Sequence, residues 1–222
     1  MAPRKLRSVS LTLALVLLLV PAAAQQRQHG RLFSPKDLGL LEGPDRDAWQ
    51  RPEQIMDHLG IADGSVVADL GAGGGWFTIR LATRVGPNGI VFAQDIQQEM
   101  IRAIEKRIER EGLKNVRTVL GTPQDPQLPS RVDVVLIVEA YHEMDDPTTL
   151  LRNVRRSLKP GGRVAIVEFT RKGHGPGPPM EERIDPEQVI RDAEAAGLRL
   201  ESRGDFLRYQ YLLEFVAASA GH

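Results

Sequence analysis

Residues 66–77 read VVADLGAGGGWF, an apolar stretch that runs into a glycine-rich turn and then into a segment with helical spacing. A short apolar run bounded by glycines predicts a buried strand, followed by a tight turn and a helix. Gly71, Gly73 and Gly75 allow the positive φ angles of such a turn and carry no Cβ atom that would obstruct a ligand. This stretch therefore predicts an α/β fold that binds a ligand against the backbone at the end of a strand.

The spacing of this turn separates it from the dinucleotide fingerprint. G-x-G-x-x-G would need its third glycine at the position of Trp76. The pattern is instead D-x-G-x-G-x-G, from Asp69 to Gly75. It therefore argues against a nicotinamide-dependent oxidoreductase.

Strand and helix patterns alternate along the rest of the chain. Apolar runs predict strands at residues 66–70, 90–93, 116–120, 132–138 and 163–169. Helical spacing predicts helices at residues 52–59, 76–85, 96–107, 150–158 and 186–196, and the apolar runs 198–200 and 209–216 predict a closing hairpin. Such alternation predicts a parallel sheet covered by helices on both faces, with ligands at the carboxyl ends of the strands.

Further features resemble one family. Asp95 closes the second strand, residues 133–136 read DVVL in the fourth, and residues 158–163 read LKPGGR before the fifth. With the glycine turn they resemble the class I S-adenosylmethionine (SAM) dependent methyltransferases over residues 52–169, most of all the type 11 and type 25-like small-molecule group, which includes quinone-type C-methyltransferases. The resemblance implies a Rossmann-like, seven-stranded, mostly parallel sheet sandwiched by helices, an antiparallel last strand, and SAM as the cofactor.

The resemblance also implies a set of cofactor residues. The turn would hold the aminoacyl end and ribose of SAM, and the carboxylate of Asp95 would accept hydrogen bonds from both ribose hydroxyls. A helix N-cap is the competing role for Asp95. The family often has Gly-Asp after the third strand, where this chain has Gly-Thr, so Thr122, Gln124 or Asp125 could contact the adenine. The implied set is Asp69, Gly71, Gly73, Gly75, Asp95, Ile96, Thr122 and Glu139.

Residues 139–144, EAYHEM, follow the fourth strand, where a substrate would meet the cofactor. His142 is the candidate catalytic base, because an imidazole with a pKa of about 6.5 can take a proton at neutral pH. A structural histidine beside Glu143 is an equally good interpretation. Glu139 could bind the ammonium group of SAM or be a solvated charge at the strand end.

Aromatic residues near both ends of the domain are candidates for the cavity walls. Trp49 precedes the first core helix, where related methyltransferases place a lid over SAM, although packing of the indole onto the core explains it nearly as well. Tyr209, Gln210 and Tyr211 fall in the last apolar run, and one or two could face the acceptor. Ordinary core positions are the simpler interpretation of these three.

Composition narrows the class of partner. Lys plus Arg and Asp plus Glu each total 29, so the chain has no basic excess that would favour nucleic acid. It contains no cysteine, which excludes disulfides, thiolate metal sites and a cysteine nucleophile. We expect a small-molecule methyl acceptor, no nucleic-acid partner and no bound metal.

The first segment has the anatomy of a secretory signal. Three basic residues precede an apolar run at residues 9–20, and residues 21–24 read PAAA. The predicted organisation is a signal peptide at 1–24, an extended arm with one short helical turn at 25–48, a methyltransferase domain at 49–216 and a tail at 217–222. We expect an exported, periplasmic or secreted product that meets the membrane only through the signal. An uncleaved inner-membrane anchor is the alternative, and its length is marginal.

Export raises a second functional hypothesis. SAM is made in the cytoplasm, so a domain beyond the membrane would need a supply of cofactor. The alternative to an enzyme is therefore an exported SAM-fold binding module without catalysis.

Overall fold

A seven-stranded sheet runs through the computed structural model, which describes residues 32–172 and 175–218. Its strands are β1 (Val66–Leu70), β2 (Ile90–Asp95), β3 (Val116–Leu120), β4 (Val132–Val138), β5 (Leu158–Phe169), β6 (Leu198–Gly204) and β7 (Gln210–Ala217). They lie in the order β3-β2-β1-β4-β5-β7-β6, and β7 runs antiparallel to both of its neighbours while the others pair in parallel. This confirms the predicted sheet. The predicted signal segment, residues 1–24, lies outside the described residues.

Helices flank the sheet. They are α1 (Arg46–Gln50), α2 (Pro52–His58), α3 (Trp76–Val85), α4 (Gln98–Glu111), α5 (Pro147–Arg156) and α6 (Pro186–Ala195), with 3-10 helices at Pro35–Glu42, Tyr141–Glu143 and Met180–Glu182. Val134 and Leu136 of β4 pack into one apolar cluster, and Val135 and Ile137 pack into another. Burial of both faces explains why the strands read as unbroken apolar runs. Within the described ranges, no helix has the length and apolar character needed to cross a membrane.

The chain changes its direction across the sheet between β1 and β4. From β1 it proceeds outward to β2 and β3, and it then returns to β4 on the other side of β1. A crevice opens at such a point, beyond the carboxyl ends of the two strands. A Cβ atom on Gly71, which follows β1, would lie 2.5 Å from the Cβ atom of Ala140, which follows β4. The close approach of these two strand ends therefore requires glycine at position 71.

The segment before α2 is more helical than the sequence indicated. The sequence predicted an extended arm over residues 25–48 with one short helical turn. In the structure the 3-10 helix Pro35–Glu42 begins after Ser34, whose hydroxyl caps it, and α1 begins at Arg46. Arg46 and Gln50 are buried, so this segment packs onto the domain. Here tertiary contacts determine the conformation, and the local pattern did not show them.

Several other boundaries differ from the predictions, including those of α4, β5, β2 and α5. Helix α4 begins at Gln98 and not at residue 96, because the N-cap is Gln97 in an extended conformation. Strand β5 begins at Leu158 and not at residue 163, since Leu158 already pairs with Val132 ahead of an irregularity in register. The first of these differences bears on the role of Asp95.

Candidate active site

A cavity of about 1250 Å3 opens at the carboxyl ends of β1, β2 and β4. The glycine turn lines one end, the 3-10 helix Tyr141–Glu143 borders another part, and the N-terminal segment supplies a further wall. This volume exceeds the range of about 300–1,000 Å3 that is usual for one ligand, so it suits a cofactor together with a small acceptor. The described ranges contain no group of three or more His, Cys, Asp or Glu side chains placed to hold a metal ion.

The glycine turn has the conformation that its sequence predicts. The φ angles are +70° at Gly71, +55° at Gly73 and +78° at Gly75, values that residues with side chains rarely adopt. The nearest atom to a Cβ on Gly73 would be the Cδ1 of Leu41, at 3.5 Å. Gly71 and Gly73 therefore present bare backbone to the cavity and fit the SAM cradle that the resemblance implies. Gly75 does not line the cavity, and a Cβ atom there would lie 3.5 Å from Ile104 of α4.

Asp69 ends β1 directly before the turn. Its Oδ2 accepts a hydrogen bond of 2.6 Å from the hydroxyl of Thr78 in α3. Burial raises the pKa of Asp69 to about 6, against the opposing effects of Thr78 and Arg46. Asp69 thus ties β1 to α3 across the turn, and it borders the cavity.

Asp95 braces the turn from β2. Its Oδ2 accepts a hydrogen bond from the Gly73 N–H at 3.0 Å, and its Oδ1 accepts one from the Gln97 N–H at 2.9 Å. Burial raises the pKa of Asp95 despite these bonds. Because Gln97 is the N-cap of α4, the interpretation of Asp95 as that cap is wrong. Its carboxylate fixes the glycine turn instead, on the cavity wall beside Ile96.

Of the three candidates for the adenine contact, Thr122 is the one that borders the cavity. The carboxylate of Asp125 accepts the Gln127 N–H at 2.8 Å. Gln124 is exposed, and its carbonyl accepts a hydrogen bond from Asn153. The geometry therefore favours Thr122.

A closed ring of four side chains lies at the end of β4, and we call it the four-residue ring. Arg46 Nη2 donates to Glu139 Oε2 at 3.1 Å, and Gln210 Nε2 donates to Glu139 Oε1 at 2.7 Å. Gln50 closes it, because its Nε2 donates to Gln210 Oε1 at 2.7 Å and its Oε1 accepts from Arg46 Nε at 2.9 Å. Both oxygens of Glu139, the predicted contact of the SAM ammonium group, thus bind protein groups in this structure.

The four-residue ring is strained at Glu139 and buried. Glu139 has a φ of +55°, a left-handed conformation that costs about 1–3 kcal/mol and that is typical of functional sites. Burial raises the pKa of Glu139, and the charge of Arg46 opposes that rise. The guanidinium of Arg46 also lies 4.2 Å from the centroid of the Trp76 ring. The four-residue ring therefore links α1 to the end of β4 and to β7 at the edge of the cavity.

His142 lies in the 3-10 helix after β4 and its ring is 8% exposed. Its Nδ1 is 3.0 Å from Oε2 and 3.1 Å from Oε1 of Glu168, and its backbone N–H donates to the same carboxylate. Burial lowers the pKa of the imidazole, but the charge and hydrogen bond of Glu168 outweigh burial and raise the pKa to about 9. At neutral pH the His142 ring is therefore a cation.

The N-terminal segment is attached to the cavity rim by polar contacts. The N–H of Phe33 donates to Glu143 Oε2 at 3.0 Å, and the side chain of Gln97 donates to the Phe33 carbonyl at 3.0 Å. Arg107 of α4 forms an ion pair of 2.7 Å with Glu42. Burial raises the pKa of Glu143, against the Phe33 hydrogen bond and the charge of His142.

Aromatic side chains form part of the cavity wall. Trp49 borders the cavity and packs against Phe169 with ring centroids 5.7 Å apart, as the packing interpretation predicts, and its role as a lid over SAM stays a prediction. Tyr209 also borders the cavity. The hydroxyl of Tyr211 donates to the Ile184 carbonyl at 3.1 Å, away from the cavity.

Sequence reasoning did not single out Glu168 or Arg46. Glu168 is the one charged residue in the apolar run 164–169, and it is 1% exposed. A charge in a strand that is buried on both faces needs a partner, and that signal could have identified it. Arg46 stands in a polar segment where nothing local marks it as buried.

The sheet order, the glycine cradle and the neighbouring Asp95 together define a class of protein, the SAM-dependent methyltransferases, whose cofactor is SAM. A family described as a methyltransferase domain matches residues 61–197. The chain belongs to this family.

Several relatives act in quinone biosynthesis according to their names. The chain is 33% identical over 125 residues to the ubiquinone/menaquinone biosynthesis C-methyltransferase UbiE of Pasteurella multocida, which covers 55% of this chain and 46% of that protein. It is 32% identical over 130 residues to the demethylmenaquinone methyltransferase of Lactococcus lactis, with 58% and 51% covered. UbiE of Ectopseudomonas mendocina is 30% identical over 179 residues, with 80% and 67% covered. The chain thus spans about half the length of the first two relatives.

Solved structures agree with this assignment. A SAM-dependent methyltransferase from Aquifex aeolicus superposes with a TM-score of 0.78 at 29% identity, covering 82% of this chain and 98% of that chain. A putative type 11 methyltransferase from Sulfolobus solfataricus gives a TM-score of 0.64 at 25% identity, covering 78% and 95%.

Proposed function

We propose that the protein transfers the methyl group of SAM to a ring carbon of a small quinol-type acceptor. The names of the relatives support this acceptor class. The observation that carries the proposal is that the glycine turn, Asp95 and His142 all border one cavity, which has room for two ligands.

We propose that the predicted cofactor residues hold SAM at the end of the cavity where the glycine turn lies. We propose that the turn at Gly71, Gly73 and Gly75 receives the aminoacyl end and ribose, that Asp95 beside Ile96 holds the ribose hydroxyls, and that Thr122 contacts the adenine. Asp69 supports the turn, and Glu139 receives the ammonium group if Arg46 releases it. When bound, SAM supplies an electrophilic methyl group on a sulfonium centre.

We propose that the acceptor binds beside the aromatic wall of the cavity. Trp49, Phe169 and Tyr209 supply aromatic surface that suits a flat ring. The role of His142 as a base stays a prediction. Its raised pKa favours a different role at neutral pH, because a protonated imidazole donates hydrogen bonds and accepts no proton.

The proposal is tested with the purified chain, SAM carrying a labelled methyl group, and chemically reduced naphthoquinone. We expect label in a C-methylated naphthoquinol. The control acceptor is a dimethylnaphthoquinol in which methyl groups already occupy both of the carbons that could be methylated beside the hydroxyl groups. We expect no label in this compound. Label in an ether of the dimethyl compound would show O-methylation, and label in neither compound would contradict the proposed acceptor class.

We also propose that residues 1–24 are a cleaved signal and that the mature protein begins at Gln25. The basic start, the apolar run and the small residues before position 25 support this proposal. Expression in a bacterial host should yield a processed periplasmic product, and Ala24→Arg should slow processing. N-terminal sequencing after fractionation decides: intact cytosolic protein would refute export, and intact protein in the membrane would favour an anchor.

A further inference from the structure

A line of three charged side chains runs from the core of the sheet to the cavity. Glu168 lies in β5 and is 1% exposed, His142 follows β4, and Glu143 is the next residue along the chain. His142 and Glu143 border the cavity. The three residues therefore connect a buried carboxylate with the place where an acceptor would bind.

Glu168 is committed to His142. One carboxylate accepts hydrogen bonds from the backbone N–H of His142 at 3.2 Å and from its Nδ1 at 3.0 Å. A buried carboxylate that binds Nδ1–H fixes both the orientation of an imidazole and the position of its protons. Nε2 is then the ring nitrogen that remains available to a ligand.

The gap between His142 Nε2 and the carboxylate of Glu143 has room for one oxygen atom of a ligand. The Oε1 of Glu143 lies 3.9 Å from His142 Nε2, which is too long for a hydrogen bond. The other oxygen, Oε2, is held by the Phe33 N–H at 3.0 Å. An oxygen atom placed beside both groups can accept a hydrogen bond from Nε2–H and donate its own proton to Oε1.

We propose that His142 and Glu143 together bind a hydroxyl group of the methyl acceptor, with Glu143 as the proton acceptor, His142 as the donor to the oxygen, and Glu168 as a positioning residue. This inference rests on the proposed methyl transfer. It assigns the acceptor to the hydroxylated aromatic or enolic compounds, in which the hydroxyl lies next to the carbon that is methylated.

The proton step is a simple transfer. The O–H bond of the acceptor breaks, the proton moves to Glu143 Oε1, and the electron pair stays on the oxygen beside the Nε2–H of His142. A negative oxygen on an aromatic ring raises electron density at the adjacent carbon, the atom that a C-methylation requires. Glu143 is suited to this role, because burial raises its pKa towards neutrality.

The surrounding charges favour this division of roles. Glu139, Glu143 and Glu168 all act to keep the His142 ring protonated, and Arg46 compensates Glu139 through the four-residue ring. Of these three carboxylates, Glu139 and Glu143 border the cavity. Among the described residues, Glu143 has no cationic side chain within hydrogen-bond distance. It is therefore the base that the geometry offers.

The first test follows the ring nitrogens of His142 by NMR in the full chain labelled at histidine nitrogen. In the wild type, both nitrogens should carry protons at pH 7.5. Glu168→Gln keeps the shape but removes the charge, and it should lower the titration midpoint of His142 by at least one pH unit. The matched control is Glu214→Gln, a buried carboxylate of β7 that pairs with Arg163 and does not border the cavity; it should leave the midpoint unchanged.

The second test uses Glu143→Gln, which retains the hydrogen bond from Phe33 and loses the base. The turnover number with naphthoquinol should fall at least 100-fold, while the Kd of SAM changes less than threefold. A neutral His142 in the wild type, a midpoint unaffected by Glu168→Gln, or full turnover in Glu143→Gln would each overturn the inference. Failure of the wild type to bind SAM would instead overturn the proposed function, so the two failures are distinguishable.

Discussion

The glycine turn and the four-residue ring are built in different ways. At the glycine turn, the carboxylate of Asp95 binds the backbone N–H of Gly73, 22 positions away. In the four-residue ring, side chains from distant segments bind each other: Arg46 binds Glu139 across 93 positions, and Gln50 binds Gln210 across 160. The turn is a backbone structure, and the four-residue ring is an assembly of buried polar side chains.

The two structures differ in which property a substitution should affect. A turn made of backbone is sensitive to any atom that enters the ligand space, so substitutions there should act mainly on binding. An assembly of buried charges is sensitive to the loss of one partner, because the remaining charge stays buried and unpaired. Substitutions there should act mainly on stability.

The strongest test of the cofactor end is Gly73→Val. A branched side chain at φ +55° is strained and projects at the turn, so we expect SAM affinity to fall roughly 1,000-fold, or about 4 kcal/mol. Gly112→Val is the matched control, because Gly112 has φ +64° with no atom within 4 Å of its Cβ position and lies away from the cavity. It should lose stability and keep SAM binding, as calorimetry and urea unfolding would show. Equal SAM affinity in both variants would contradict the cradle.

The matching test of the four-residue ring is Arg46→Met. Glu139 would remain buried without its cation, so the free energy of unfolding should fall by about 3 kcal/mol. Arg84→Met is the control, since Arg84 pairs with Glu53 and Asp57 at the surface, where such pairs contribute at most about 1 kcal/mol. Urea unfolding measures both. A loss of the same size in both variants would mean that the Arg46–Glu139 pair stabilises the fold no more than a surface ion pair does.

The dependence of stability on pH tests the charge of His142. Its pKa of about 9 in the folded protein is above the usual value of about 6.5, so its contribution to stability is complete below pH 6.5 and is lost as the pH rises through 9. We expect a decline of about 3 kcal/mol between these limits in the wild type, beyond the decline in His142→Gln. Urea unfolding at several pH values measures the difference. Parallel curves would show that the folded protein does not hold a His142 cation.

The smallest effect is expected from Asp95→Ala. SAM should bind about 2 kcal/mol more weakly, roughly 30-fold, because the ribose hydroxyls and the Gly73 N–H would lose their acceptor. Asp125→Ala removes a similar hydrogen bond to the second following N–H and lies away from the cavity. Its SAM affinity should equal that of the wild type. A melting temperature that falls without any change in SAM affinity would assign Asp95 a purely structural role.

The same contrast explains which parts of the site the sequence could predict. The bounds of β1, β3 and β4 were predicted because each is an apolar run with turn residues on both sides, and the glycine turn because its spacing is local. The helical N-terminal segment was missed, since Arg46 and Gln50 become buried only through partners far along the chain. Periodicity cannot indicate that a polar side chain will meet a buried carboxylate from another strand.

Glu168 was only partly predictable from the sequence. Its position in an apolar strand was visible in the sequence, but its partner was not, because His142 lies 26 positions earlier, in the segment that follows β4. Consequently the sequence indicated His142 as a base with an ordinary pKa, and the structure surrounds it with carboxylates. The chemical role of an ionisable residue depends on neighbours that only the fold brings together.

Calorimetric titration of the purified chain with SAM and, separately, with NADH decides which cofactor the cavity binds. The D-x-G-x-G-x-G turn and Asp95 predict saturable binding of one SAM per chain and no binding of NADH. Binding of NADH, or the absence of SAM binding by a folded protein, would contradict the assignment of the glycine turn as a SAM site.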